Sequence, residues 1–223
     1  MNWNQFWNQK GTQSHPLEQV GRIRNGKVLD QDLMQRIAKR IVEQAQIHKS
    51  HAVLDVCCGN GELSRLLLPH CASLTGVDFS EILIQQARQL DVHHQTWMVG
   101  DAATFDAGRK FDRILLYFSF QYFENQTKAE AVLDNLCAHL EPGGILLLGD
   151  IPDSRKWFRF YKNPMDWLRY IRQTFTKTNT MGKFWNPNKL AALLEQRGLR
   201  VEIEGQENWQ PFCEYRFDIL AYS

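Results

Sequence analysis

The chain has 223 residues, 43% of them hydrophobic, and a formal net charge of +1. That length suits one α/β domain with an elaboration, that hydrophobic share excludes a disordered chain, and the near-neutral balance lacks the basic excess of a dedicated nucleic-acid binder. No apolar run approaches the roughly 18 residues of a membrane span, and MNWNQFWNQK lacks the basic-then-apolar order of a signal peptide. A cytoplasmic protein with neither a membrane nor a nucleic-acid partner is expected.

Trp3, Phe6 and Trp7 fall at i, i+3 and i+4, one face of a short helix. From residue 28 to 48, Val28, Leu33, Ile37, Ile41, Val42 and Ala45 recur at helical spacing, with Asp30 at the start. AVLDV reads as a buried strand and GELSRLLLPH as a helix stopped by Pro69. SLTGVD is a second strand, followed by the helix EILIQQARQL with Ser80 as its N-cap. His93 and His94 are read as solvated ahead of a third strand, QTWMVGD. FDRILLYF is the fourth strand. A helix over Lys128–Leu140 is ended by EPGG, and ILLLGD is the fifth strand. Residues 151 to 186 are rich in aromatic and basic side chains. NPNKLAALLEQRG then reads as a helix, LRVEIEG as a strand, and FCEYRFDILAYS as a closing strand antiparallel to its predecessor.

Strands that alternate with helices and carry continuous apolar runs predict a parallel sheet covered on both faces. In such sheets ligands bind beyond the carboxyl ends of the strands. The unusual residues all sit there: Asp55 to Gly61, Asp78, Gly100-Asp101, Tyr117-Phe118 and Gly149-Asp150.

Five cysteines, Cys57, Cys58, Cys71, Cys137 and Cys213, include no C-x-x-C, and His51 and His70 show no zinc-type spacing with them. No metal is expected, and Cys57 and Cys58 read as small residues in a tight turn. Gly59 and Gly61 are followed by Ser64 where a dinucleotide loop has its third glycine, which disfavours a pyrophosphate site.

VLDVCCGNG resembles the first motif of the class I S-adenosylmethionine-dependent methyltransferases, usually L-D-x-G-C-G-x-G, with Cys57 where glycine is most common. GVDFS is similar to the family's second-strand motif, VGDA to the third, FDRILLYFSFQYF to the fourth and LEPGGILLLGD to the fifth. The resemblance runs from residue 53 to residue 150. It implies a Rossmann-like seven-stranded sheet, mostly parallel with an antiparallel last strand, helices on both faces, and S-adenosyl-L-methionine as cofactor. It places Asp55, Cys57, Gly59 and Gly61 along the methionine moiety, Asp78 on the ribose hydroxyls, Phe79 beside the adenine, Asp101 and the Ala102 amide on the adenine edge, and Tyr117 and Phe118 over the cofactor. Taken singly, Asp78 could instead cap a helix, Asp101 occupy a turn, and Phe79 and Phe118 fill the core.

The resulting organisation is a single domain over 1–223: an N-terminal cover and helix (1–50), a cofactor-binding core (51–150), a helical insertion or cover (151–186), and a C-terminal helix and strand pair (187–223). Six of the seven tryptophans lie outside 53–150, so the flanking segments are expected to form the acceptor pocket. Trp3, Trp7, Arg22, Gln121, Tyr122, Arg155 and Arg159 are its candidate residues, and His15, Asp150 and Tyr117 the candidates for proton transfer and orientation. YFSFQYF is not the N/D-P-P-Y/F of methyltransferases acting on adenine or amide nitrogens. Between residues 151 and 186, eight basic residues (Lys177 among them) face two acidic ones, a net +6, which suits an anionic or sugar-like acceptor; a solvated helical face is the alternative. Three functions stay open: methyl transfer to a small molecule, binding of S-adenosylmethionine without transfer, and nicotinamide-dependent oxidoreduction.

Overall fold

The computed structural model describes residues 1–24, 26–89, 94–176 and 178–223. A short N-terminal helix α1 (Trp3–Lys10) and a single turn α2 (Pro16–Gln19) lead into a two-stranded hairpin, β1 (Ile23–Arg24) with β2 (Lys27–Val28). Val28 therefore belongs to this hairpin and not to the helix that follows. That helix, α3 (Gln31–Gln44), starts where Asp30 accepts the Leu33 amide at 2.6 Å.

The main sheet has seven strands in the order β5-β4-β3-β6-β7-β9-β8. They are β3 (Ala52–Val56), β4 (Ser73–Asp78), β5 (Gln95–Val99), β6 (Phe111–Tyr117), β7 (Leu140–Pro152), β8 (Arg200–Gly205) and β9 (Arg216–Tyr222). All pairings are parallel except those of β9, which lies antiparallel between β7 and β8. Strand order reverses between β3 and β6, the place where open α/β sheets leave a crevice.

Alternation along the buried strands sorts the core into two layers. Leu54, Ile114, Leu116, Leu146 and Leu148 join one apolar cluster with α6 (Gln126–Ala138) and α9 (Pro187–Glu195). Val53, Leu115, Ile145 and Leu147 join the other, with α3 and α4 (Glu62–Leu67). On α6, Ala129, Val132, Leu133 and Leu136 form one buried stripe. Its N-cap is Asn125, so the helix starts two residues ahead of the expected Lys128. The helix after β4, α5 (Glu81–Arg88), is capped by Ser80 as expected, while Leu90 and His93 lie outside the described residues. His94 is exposed.

EPGG proved to be part of β7 and not a stop before it. Leu140 pairs with Phe111, the register shifts, and Ile145 then opposes Arg113. A second shift falls between Leu148 and Ile151 on the β9 side. The segment after β7 contains α7 (Trp157–Phe160) and α8 (Pro164–Phe175).

Candidate active site

A cavity of about 580 Å³ opens at the carboxyl ends of the central strands. Cys57 and Gly59 from the β3–α4 turn, Asp78 and Phe79 from the end of β4, Asp101 and Ala102 beyond β5, and Phe118 beyond β6 line its floor. Trp3, Trp7 and Tyr122 close it from the other side, and Arg22 lines it over Phe118. The turns that make this floor depend on main-chain bends. Cys57 (φ 61°) and Phe118 (φ 68°), just beyond β3 and β6, and Asp150 (φ 58°), at the irregularity near the end of β7, all adopt the left-handed conformation. Gly59 is left-handed too, and a Cβ there would come within 2.6 Å of the Val20 side chain.

Asp78 ties this floor together. Its Oδ2 accepts the Gly59 amide and its Oδ1 the Ser80 amide, each at 2.9 Å. Burial pushes its carboxyl up to about 6, with the two amide bonds opposing the rise. Each oxygen keeps a free lone-pair direction, so the carboxylate retains acceptor capacity toward the cavity. Burial raises Asp55 further, to about 7, against the bond from the Ser64 hydroxyl. The thiols of Cys57 and Cys58 are pushed well up by burial, with nearby carboxylates adding to the effect. Among the described residues no group of three His, Cys, Asp or Glu could hold a metal ion.

Among the described residues two basic side chains, Lys128 and Arg22, line the cavity. Lys128 donates to both oxygens of Asp101 at 2.7 and 2.8 Å. Desolvation of Asp101 would raise its pKa, but the Lys128 and Ala103 bonds outweigh it and the net shift is downward. The Arg22 guanidinium lies over the Phe118 ring, its Cζ 3.6 Å from the centroid. Desolvation lowers its pKa to about 10, with Tyr122 and Asp150 acting in the opposite sense. It makes no ion pair within 4.0 Å among the described residues.

Helix α1 roofs the cavity. Ser80 Oγ donates to Asn8 Oδ1 at 2.6 Å, and Asn4 donates to the Phe79 carbonyl at 3.4 Å. Asn60 Nδ2 reaches the Pro16 carbonyl at 2.9 Å and Gln19 Oε1 at 2.8 Å, which ties α2 to the glycine turn. Trp3 and Trp7 pack against Tyr122 with ring centroids 4.6 and 5.2 Å away.

Several expected site residues lie elsewhere. Asp55 is buried under the turn on Ser64, and Gly61 packs against Trp97, which a Cβ would meet at 2.6 Å. The Tyr117 hydroxyl accepts from Gln210 at 3.2 Å, and its ring fills the space above Gly149 behind Phe118, without lining the cavity. His15 is exposed and caps α2, its Nδ1 accepting the Leu17 amide at 3.2 Å. Asp150 is buried in an ion pair with Arg216 at 2.5 Å and accepts from Gln206 at 2.9 Å. Arg155 is held by Asp153, and Arg159 reaches the Glu214 carbonyl at 3.3 Å; neither lines the cavity. Gln121 donates to the Phe118 carbonyl and lines a smaller groove of about 160 Å³ that shares Trp3 and Tyr122 with the main cavity. Lys128, Asn60 and Arg216 carried no local signal in the sequence, because their partners lie 27, 41 and 66 residues away.

Residues 29–203 match the family model described as a methyltransferase domain. The ubiquinone biosynthesis O-methyltransferase of Coxiella burnetii is 31% identical over 183 residues, spanning 79% of this chain and 75% of that protein. The dTDP-4-amino-2,3,4,6-tetradeoxy-D-glucose N,N-dimethyltransferase of Saccharopolyspora spinosa is 28% identical over 110 residues, 47% of this chain and 42% of that one. Among solved structures, the N-methyltransferase NodS of Bradyrhizobium japonicum in complex with S-adenosyl-L-homocysteine shares the fold with a TM-score of 0.68 at 19% identity, covering 100% of this chain and 99% of that one. Matched over most of its length by the family model and by a relative of that identity, the chain belongs to the class I S-adenosylmethionine-dependent methyltransferases.

Proposed function

We propose that the cavity holds S-adenosylmethionine on its floor and a flat, ring-bearing acceptor with a hydroxyl group under its roof. The carrying observation is the opposition of two unlike walls in one cavity: Asp78, Arg22 and the glycine turn on one side, and Trp3, Trp7 and Tyr122 on the other. Asp78 has acceptor capacity for a ribose diol, Ala102 and Phe79 flank space for a purine, and Arg22 is a desolvated cation suited to the amino-acid carboxylate. The bound cofactor supplies an activated methyl group, so the protein's own task is alignment and exclusion of water, together worth up to roughly 7 to 11 kcal/mol.

The roof supports a ring acceptor. Its tryptophans and Tyr122 present aromatic surface at low conformational cost, and the relative from Coxiella burnetii is an O-methyltransferase of ubiquinone biosynthesis. Of the lining carboxylates, Asp78 is engaged by turn amides and Asp101 by Lys128. Glu124, exposed at the rim, takes the role of proton acceptor for a hydroxyl substrate in place of His15, Asp150 and Tyr117. An acidic or nucleotide-linked sugar is not favoured, because Arg155 is occupied and Arg159 points elsewhere.

The test is methyl transfer from labelled S-adenosylmethionine to a panel of catechol-type phenols, amino sugars and nucleotides, with S-adenosylhomocysteine release as the readout. Turnover of phenols with Glu124→Gln lowering kcat is expected. Turnover of amino sugars or nucleotides alone would overturn the ring-hydroxyl assignment. Binding of both cofactor forms without any turnover would point to a non-catalytic binding protein.

A further inference from the structure

Helix α8 is the most exposed apolar element of the described chain. None of its described side chains is buried. Met165, Leu168 and Phe175 are 70, 54 and 84% exposed, and at 100° per residue they fall within about 80° of one another around the helix. Trp157 and Phe158 on α7 and Trp167 on α8 are also exposed, so among the described residues six of the eight large exposed apolar side chains lie between positions 157 and 175. Single exposed apolar residues need no explanation, but a concentration of this kind marks a surface that is covered in use.

What covers it is indicated by charge. Residues 151–186 hold eight basic and two acidic residues, +6 in a chain whose total is +1, and the rest of the chain is therefore at −5. Of the two acidic residues, Asp153 is fully buried and already paired with Arg155. Arg169 and Arg172 on α8 and Lys162 just ahead of it are exposed; Arg169 lies 3.7 Å from Asp166 and Lys162 3.4 Å from Glu214, while Arg172 falls among the apolar residues of the stripe. A second copy would bring two strongly basic faces together, which like-charge repulsion opposes. An amphipathic helix with Trp, Phe and Leu on one side and Lys and Arg beside them is suited to the boundary between lipid headgroups and acyl chains.

We propose that the exposed face of α8 docks this protein on an anionic lipid surface. This goes beyond the assignment of acceptor and does not depend on it. The expectation of no membrane partner rested on the absence of a spanning segment, and no described helix is long and apolar enough to cross a membrane. That concerns spanning helices alone, and a helix lying in the interface is a different case. The position of α8 gives docking a purpose. Gln173, on the side of the same helix turned away from the stripe, lines the small groove that shares Trp3, Tyr122 and Phe123 with the main cavity, so a docked α8 holds the cavity one helix away from the lipid surface.

The experiment is co-sedimentation of the full chain with extruded phosphatidylcholine vesicles, with and without phosphatidylglycerol. The wild type partitions onto the phosphatidylglycerol vesicles, and added salt weakens the partition. Arg169→Gln with Arg172→Gln lowers it about fivefold per charge removed. Leu168→Glu with Phe175→Glu abolishes it. The melting temperature of each variant reports on the fold, and the arginine pair alters only exposed side chains, so it decides the matter if the glutamate pair misfolds. A wild type that stays in the supernatant with both compositions overturns the proposal, as does binding that neither pair changes. A dimer in sedimentation equilibrium that the glutamate pair dissociates, with no vesicle binding, assigns the face to a second copy instead.

Discussion

The Gly59 amide donates to Asp78 Oδ2 at 2.9 Å, joining the turn after β3 to the end of the neighbouring strand β4. One carboxylate thus fixes the turn and faces the cavity, which couples the shape of the floor to the charge it offers a ligand.

Asp78 should make cofactor affinity depend on pH. Its folded-state pKa, about 6, lies above that of an unfolded aspartate, so the ligand-free protein holds the proton and loses this contribution to stability as pH rises through about 6. Ligand binding runs the other way, since ribose hydroxyls donate to the ionised form. Calorimetry with S-adenosylhomocysteine should show affinity falling about tenfold from pH 7.5 to pH 5. Asp78→Asn should weaken binding at pH 7.5 by roughly 1.5 to 3 kcal/mol and flatten the profile. A flat profile in the wild type would show that Asp78 stays out of the ligand's reach.

Arg22 is expected to read the carboxylate of the cofactor. Arg22→Gln should weaken S-adenosylhomocysteine by roughly 1.5 to 3 kcal/mol. It should leave 5′-methylthioadenosine, which lacks the carboxylate, almost unaffected. Equal losses for both ligands would place the effect in the Phe118 stack instead.

Cys57 occupies a backbone conformation that costs an L-residue about 1 to 2 kcal/mol. Glycine removes that cost and gives back about 0.4 to 1 kcal/mol through the unfolded chain. Cys57→Gly should therefore stabilise the protein by about 0.5 to 1 kcal/mol, with cofactor binding kept, as measured by urea denaturation and calorimetry. Chelator treatment should leave the melting curve where it was. Loss of binding in the variant would restore a chemical role for the thiol.

Asn60 ties the roof to the floor, and Asn60→Ala removes both of its bonds to α2. Limited proteolysis should then cut within the first twenty residues several-fold faster than in the wild type, at a cost of about 1 to 3 kcal/mol in local stability. Unchanged cleavage would show that the aromatic contacts of Trp3 and Trp7 hold the roof alone.

The strands and their ends were legible because a buried parallel sheet writes itself as apolar runs closed by glycine and aspartate, and Asp78, Asp101 and Phe118 follow from that pattern. Tyr117 and Phe118 were both expected over the cofactor, but only Phe118 lines the cavity. Its left-handed backbone ends the strand pattern, and the Tyr117 ring packs edge-on against the Phe118 ring, 4.6 Å between centroids, with Gly149 and Gln210 as its other neighbours. His15 could have been read as a cap from the Pro16 that follows it. The hairpin β1–β2 announced itself in Asn25-Gly26, a strong turn signal, but the helical spacing that begins at Val28 obscured it. The pairs Asp101–Lys128 and Asp150–Arg216 leave no such trace, because each is made by the fold and by no local pattern.

Three neighbouring strands carry left-handed residues at or near their carboxyl ends: Cys57 and Phe118 just beyond β3 and β6, and Asp150 at the irregularity inside β7. Bends of this kind belong to the main chain, and the surrounding packing has to be over-determined to keep them. The outline of the cavity is therefore inherited with the sheet. The roof is an eight-residue helix hung on a few side-chain bonds and ring contacts, and it can be rewritten position by position without redrawing the floor. Retargeting this scaffold to a different acceptor is accordingly a problem for its first ten residues, where Trp3 and Trp7 sit, more than for the strands beneath.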